Sequence, residues 1–145
     1  LERFKALNFP FFQDDLIKIE IDVPDIVIEG EENKLLRVIQ NLVGNAIDAF
    51  EENPGEISIT GKVEGEELKL EIKDNGSGIP ETIREHFFEP FITYGKSRGT
   101  GLGSAIAKSI VEAHNGEIRF KTKTGKGTTF YISLPIKQPA VANVA

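Results

Sequence analysis

Cysteine is absent from the chain, which excludes disulfides, thiolate zinc sites and cysteine nucleophiles and fits a reducing compartment such as the cytoplasm. No apolar run approaches the ~20 residues of a membrane-spanning helix, and no basic stretch followed by an apolar signal region opens the chain. Direct membrane contact by this segment is therefore not expected, and any anchor is expected elsewhere. Basic charge is not in excess either. The 17 Lys and Arg against 23 Asp and Glu leave a net charge of −6, which disfavours nucleic acid held by bulk charge. A small anionic ligand needs a local site. An initiator methionine is missing as well, and a start at Leu1-Glu2-Arg3-Phe4 leads us to expect a fragment of something longer. At 145 residues, one core and one domain are the default.

What is present is a clear alternation of two periodicities. Residues 16–22 and 26–29 alternate apolar and polar with period 2 and predict strands on either side of Pro24. From Glu31 to about Glu52 the apolar positions Leu35, Val38, Ile39, Leu42, Ala46, Ala49 and Phe50 recur at three and four residues, the stripe of a packed helix. Asn53-Pro54-Gly55 stops it. Residues 57–63 and 68–74 predict an antiparallel hairpin across 64–67. The glycine- and proline-rich stretch 75–100 is expected to form a mobile lid, with a short helix near 81–87. A second long helix, marked by Leu102, Ile106, Ile110 and Ala113, is expected to end at Asn115-Gly116 with glycine in the left-handed cap. Residues 117–123 and 128–134 predict a closing hairpin, and the last residues a disordered stub. This order predicts a two-layer α/β sandwich, with a mixed, largely antiparallel sheet covered by helices on one face.

Four short constellations carry possible chemistry, and each has a plain structural alternative. Asn41 and Asn45 lie one turn apart on one face of the first helix, at the edge of its apolar stripe. Two carboxamides there offer oxygen to a magnesium ion held mainly by phosphates and water; solvated asparagines are the alternative. Asp74-Asn75-Gly76-Ser77-Gly78 follows an alternating strand, and its glycines let backbone approach a flat ligand. The Asp74 carboxylate can accept a hydrogen bond from the exocyclic amine of adenine, although an ordinary Asp-Asn-Gly turn has the same spelling. Gly99-Thr100-Gly101-Leu102-Gly103 runs into a helix, where backbone N–H groups and the positive helix end suit phosphate, but spaced glycines alone are a weak signal. Lys96 and Arg98 just before them can reach a triphosphate or merely solvate the loop. Gly95-Lys96-Ser97 is not a P-loop, because Pro90 stands where that motif needs glycine. Phe87, Phe88 and Phe91 around Glu89-Pro90 either anchor the lid or belong to the core.

Together and in this order, over roughly residues 16–135, these pieces resemble the histidine kinase branch of the GHKL ATP-binding superfamily. NLVGNAIDA at 41–49 resembles the N-box, of the nitrogen-regulation type since Asp48 stands where many members carry a basic residue. DNGSG at 74–78 resembles the first glycine box, FEPF at 88–91 the F-box, GTGLG at 99–103 the second glycine box and GKGTTF at 125–130 the third glycine region. Ser104 departs from the leucine usual after GTGLG. The resemblance implies a Bergerat-type sandwich that holds ATP between the helical layer and the lid. It implies that Asp74 contacts adenine and that Asn45, with Asn41 nearby, holds Mg²⁺. It implies further that Gly76, Gly78, Gly99, Gly101 and Gly103 shape the pocket with Ile79, Thr100 and Leu102 beside them, that Thr128 lies near adenine, and that Lys96 or Arg98 meets phosphate.

The resemblance also supplies a discriminator. Hydrolytic members of the superfamily place a glutamate one turn before the magnesium asparagine to activate water; here that position is Asn41, and a neutral carboxamide is no general base. A kinase that transfers the γ-phosphoryl group of ATP is therefore expected; a non-catalytic nucleotide-binding module or a GHKL-type ATPase is the alternative. Neither His86 nor His114 lies in the helical His-Glu pattern of an acceptor, so both are expected to be structural. The acceptor is then expected in a dimeric helical domain of the same protein, with residues 1–15 as its tail, 16–136 as the ATP-binding catalytic domain and 137–145 as a loose stub. A homodimeric full-length protein, a response regulator downstream and a cytoplasmic setting, free or below a membrane anchor, follow from the same resemblance.

Overall fold

A computed structural model describes residues 2–5, 16–51, 53–92 and 102–138. Five strands form the main sheet: β2 (Ile17–Asp22), β4 (Gly55–Glu64), β5 (Glu67–Asp74), β7 (Gly127–Pro135) and β6 (Glu117–Lys123), in that spatial order. β2 runs parallel to β4 and every other pair is antiparallel, the mixed sheet that the sequence predicts. The β4–β5 hairpin closes through Gly65-Glu66, with Gly65 at φ +60, the sign that the tight twisted turns of hairpins require.

Two helices, α1 (Glu32–Ala49) and α2 (Gly103–Ala113), cover one face of the sheet. α1 turns Leu35, Val38, Leu42, Val43, Ala46 and Ala49 inward, and α2 contributes Ala107, Ile110 and Val111. The sheet answers with alternate residues: Leu68, Leu70 and Ile72 from β5, and Phe130, Ile132 and Leu134 from β7, all buried. The residues between them, such as Lys69, Glu71 and Lys73, face away from the helices.

Three expectations are corrected. β3 (Val27–Gly30) does not join the main sheet but pairs antiparallel with β1 (Glu2–Lys5) in a ribbon of its own. Glu2–Lys5 is therefore extended, and residues 6–15 lie outside the described residues. At the end of α2 it is Asn115, φ +62, that takes the left-handed cap, while Gly116 sends its N–H back to Val111 O at 2.9 Å. Gly116 is needed for space instead, since a Cβ there would lie 2.3 Å from the Ser133 carbonyl oxygen. Gln138, expected to lie in a loose stub over 137–145, is tied at both ends of its amide, to the Asn115 side chain at 2.9 Å and the His114 carbonyl at 2.9 Å. Residues 139–145 lie outside the described residues.

Candidate functional site

The inner face of the sheet is apolar until its last row. Register places Ile72, Phe130 and Phe120 side by side across β5, β7 and β6, and two residues further on it places Asp74, Thr128 and Thr122. On these three strands the row that ends the core is thus polar, while its continuation on β4, Ile57, stays buried and apolar. Asp74 and Thr128 are each 5% exposed. Asp74 Oδ1 accepts the Gly76 N–H at 2.9 Å and the Thr128 N–H at 3.3 Å, and among the described residues Oδ2 takes no hydrogen bond. Burial pushes the Asp74 carboxyl above its ordinary pKa of 3.8, and the two backbone N–H bonds oppose that rise only in part. An acceptor oxygen is left open at a buried corner, where a donor on a ligand is worth more than it is in water.

The backbone makes room for that corner. Gly127, at φ +122, has no space for a side chain, because a Cβ would lie 2.0 Å from the Asp74 carbonyl oxygen. Gly76 lies against Ala49 at the end of α1, and the Ser77 N–H donates to the Ala49 carbonyl at 3.3 Å. Gly78, at φ +83, has no room for a side chain either, since a Cβ would lie 2.7 Å from the Lys123 carbonyl oxygen at the end of β6. Ile79 is 1% exposed and donates its N–H to Thr122 Oγ1 at 2.8 Å, so it is a wall under the corner. Arg84 ties the same loop down, donating to Ile79 O at 2.8 Å and to Thr124 Oγ1 at 3.2 Å.

α1 joins this corner to a second one. Four residues before Ala49 comes Asn45, half-buried, whose carboxamide has no hydrogen-bond partner among the described residues. Another turn back, Asn41 donates from Nδ2 to the Gly103 carbonyl at 3.1 Å, fastening α1 to the start of α2. The N-cap of α2, Leu102, makes no side-chain cap bond, so among the described residues no N-cap side chain serves the first-turn N–H groups. Of the residues singled out in the sequence, Asp74, Gly76, Gly78, Ile79 and Thr128 thus meet at one end of α1, and Asn41, Leu102 and Gly103 beside its middle, with Asn45 between. Lys96, Arg98, Gly99, Thr100 and Gly101 lie outside the described residues.

Sequence reasoning missed Thr122 and Arg84 and left Ser104 unexplained. Thr122 accepts from Ile79, lies 2.9 Å from Thr128 Oγ1 and 3.2 Å from Gly127 O; the period-2 pattern of 117–123 put it on the inner face but could not name its neighbours. Ser104 is 6% exposed and donates its hydroxyl to the Phe87 carbonyl at 2.8 Å, which explains a polar residue at a packed helix start. Phe87 belongs to the core, edge-on to Phe88 and Phe120 with centroids 5.2 Å apart, whereas Phe91 is 74% exposed. His114 joins the two helices: its ring donates from Nδ1 to Ile110 O at 2.8 Å and accepts the Glu31 N–H on Nε2 at 3.0 Å. Among the described residues no cluster of three His, Cys, Asp or Glu side chains is placed to hold a metal, and no helix is long and apolar enough to cross a membrane.

With that geometry in place, the relatives fall into one group. The family described as "Histidine kinase-, DNA gyrase B-, and HSP90-like ATPase" matches residues 30–138. Sporulation kinase B of Bacillus subtilis is 38% identical over 116 residues, which cover 80% of this chain and 27% of that protein. The mycobacterial sensor histidine kinase MprB superposes with a TM-score of 0.73 at 29% identity, covering 85% of this chain and 84% of that one. The nucleotide-free catalytic domain of histidine kinase ThkA does so with a TM-score of 0.73 at 31% identity, covering 84% and 80%. The chain spans only 17% to 32% of the length of three curated relatives that it matches, sporulation kinases B and E of Bacillus subtilis and the sensor-like histidine kinase SenX3 of Mycolicibacterium smegmatis. A buried carboxylate under a glycine loop, two asparagines one turn apart and a helix start facing them are therefore found in a chain that belongs to the histidine kinase-, DNA gyrase B- and HSP90-like ATPase family, as an ATP-binding catalytic domain of the sensor histidine kinase type.

Proposed function

We propose that this domain binds Mg-ATP and passes the γ-phosphoryl group to a histidine carried by a separate dimerisation domain of the same protein. The observation that carries transfer over hydrolysis is Asn41. It stands one turn before Asn45, where a water-activating glutamate would be needed, and its amide is already held by the Gly103 carbonyl. Asp74 Oδ2 takes the adenine amine, and Thr128 lies beside it. The start of α2, with Lys96 or Arg98 from the preceding loop, meets the phosphates.

The donor set of the described residues fits a magnesium ion held mainly by the nucleotide. The Asn45 carboxamide is unengaged, and Asn41 keeps its Oδ1 while Nδ2 is used. When bound there, magnesium neutralises charge on the polyphosphate. The chain's own part is placement: it holds the γ-phosphorus in line for an incoming imidazole nitrogen. A nitrogen–phosphorus bond forms as the bond to the bridging oxygen breaks, ADP leaves, and the imidazole proton goes to solvent. In this reading neither His86, which meets the Glu89 carboxylate, nor His114, locked between the two helices, takes part. The product phosphohistidine serves a response regulator, the full-length protein works as a homodimer, and the domain acts in the cytoplasm, free or below a membrane anchor.

The test mixes the chain with the dimerisation domain of its parent protein and γ-labelled Mg-ATP. Label is expected on the dimerisation domain and none on this chain, with transfer abolished by Asn45→Ala. Label on this chain, or release of inorganic phosphate without transfer, contradicts the proposal.

A further inference from the structure

Thr122 Oγ1 meets three polar groups at once: the Ile79 N–H at 2.8 Å, the Gly127 carbonyl oxygen at 3.2 Å and Thr128 Oγ1 at 2.9 Å. A hydroxyl has one proton to give and two lone pairs to offer. The amide can only donate and the carbonyl can only accept. One arrangement satisfies all three contacts together. Thr122 gives its proton to Gly127, accepts Ile79 N–H on one lone pair, and accepts the Thr128 proton on the other. Thr128 is then left with lone pairs and no proton for anything else that reaches it. Beside it in register stands Asp74, whose Oδ1 already holds two backbone amides and whose Oδ2 is open among the described residues.

We propose that Thr122 is a specificity-determining positioning residue: by taking up the Thr128 proton it leaves a corner of acceptors only, which fits a purine with a 6-amino group and rejects a 6-oxo purine. The two N–H bonds of the amine divide between Asp74 Oδ2 and Thr128 Oγ1. A 6-oxo group, itself an acceptor, faces two like partners. This inference rests on the nucleotide-binding reading above and adds to it the residue that sets the polarity of Thr128. Without the Thr122 hydroxyl, the Thr128 proton is released and can turn towards a 6-oxo oxygen.

Calorimetry compares Mg-ATP with Mg-ITP on the 145-residue chain and on Thr122→Val, Thr122→Ala and Thr122→Ser, with folding checked by circular dichroism. The unaltered chain is expected to favour Mg-ATP. Valine and alanine are expected to narrow the ratio of the two affinities about three- to tenfold, the range of one neutral hydrogen bond, while serine preserves it. If valine does not fold, the alanine and serine pair makes the same comparison. A purely structural role lowers both affinities by one factor and leaves the ratio unchanged, which overturns the inference alone. Absence of uptake of either nucleotide by the unaltered chain overturns the nucleotide-binding reading along with it.

Discussion

Asp74 is held above its ordinary pKa of 3.8 because burial penalises its charged form more than the Gly76 and Thr128 amides favour it. A raised value means that the folded chain binds this proton more tightly than the unfolded chain does. The resulting stabilisation is fully present below 3.8 and is lost as pH rises through the folded value, so at neutral pH the ionised Asp74 detracts from stability. Asp74→Asn is therefore expected to melt at or above the temperature of the unaltered chain at pH 7, yet to lose about tenfold or more in ATP affinity, since an amide turned to offer N–H no longer accepts. Acidification through the raised value is expected to weaken nucleotide uptake for the same reason, read by titrating ATP at falling pH. Asn45→Ala is a parallel case. A half-buried carboxamide without a partner in mid-helix contributes little, so thermal melting is expected to stay within about 0.7 kcal/mol or improve, while Mg-nucleotide binding is lost. Asp74 and Asn45 stand out in the sequence as candidates because their neighbours announce them. Thr122 was not, since its partners Ile79, Gly127 and Thr128 come from a loop and a strand that only the folded sheet brings to it.

Between the helices, one imidazole does what a capping side chain usually does. Glu31, the N-cap of α1, makes no side-chain cap bond, and its N–H goes instead to His114 at the end of α2. His114→Leu is expected to cost about 1–3 kcal/mol in denaturant unfolding, with faster hydrogen exchange at the first turn of α1, because it leaves the Glu31 N–H without that acceptor. The far side of the same junction separates conformation from space. Asn115→Gly is expected to be neutral or mildly stabilising, since Asn115 already holds the left-handed cap, whereas Gly116→Ala is expected to cost about 2 kcal/mol or more through collision with Ser133. Both helices and both hairpins were readable as periodicity within single stretches. The β1–β3 ribbon was not: residues 26–29 read as a strand, but nothing local says which strand they join, and Glu2–Lys5 is too short to show a period.

Across the molecule, the apolar rows of the sheet hold α1 and α2 in place, and the proposed ligand corner lies where Asp74, Thr128 and Thr122 end those rows. α1 spans from that corner to the start of α2, so the proposed adenine side and the proposed phosphate side of the site are joined by one helix. Its two ends of contact, Asn41 with Gly103 and Ala49 with Ser77, fix their separation. The central claim is therefore a single nucleotide pocket, and titration calorimetry of Mg-ATP and Mg-ADP into the folded chain tests it most directly. One-to-one uptake is expected, abolished by Asp74→Ala and by Asn45→Ala with circular dichroism unchanged. Well-folded chain that takes up neither nucleotide, or variants that bind as the unaltered chain does, would contradict it.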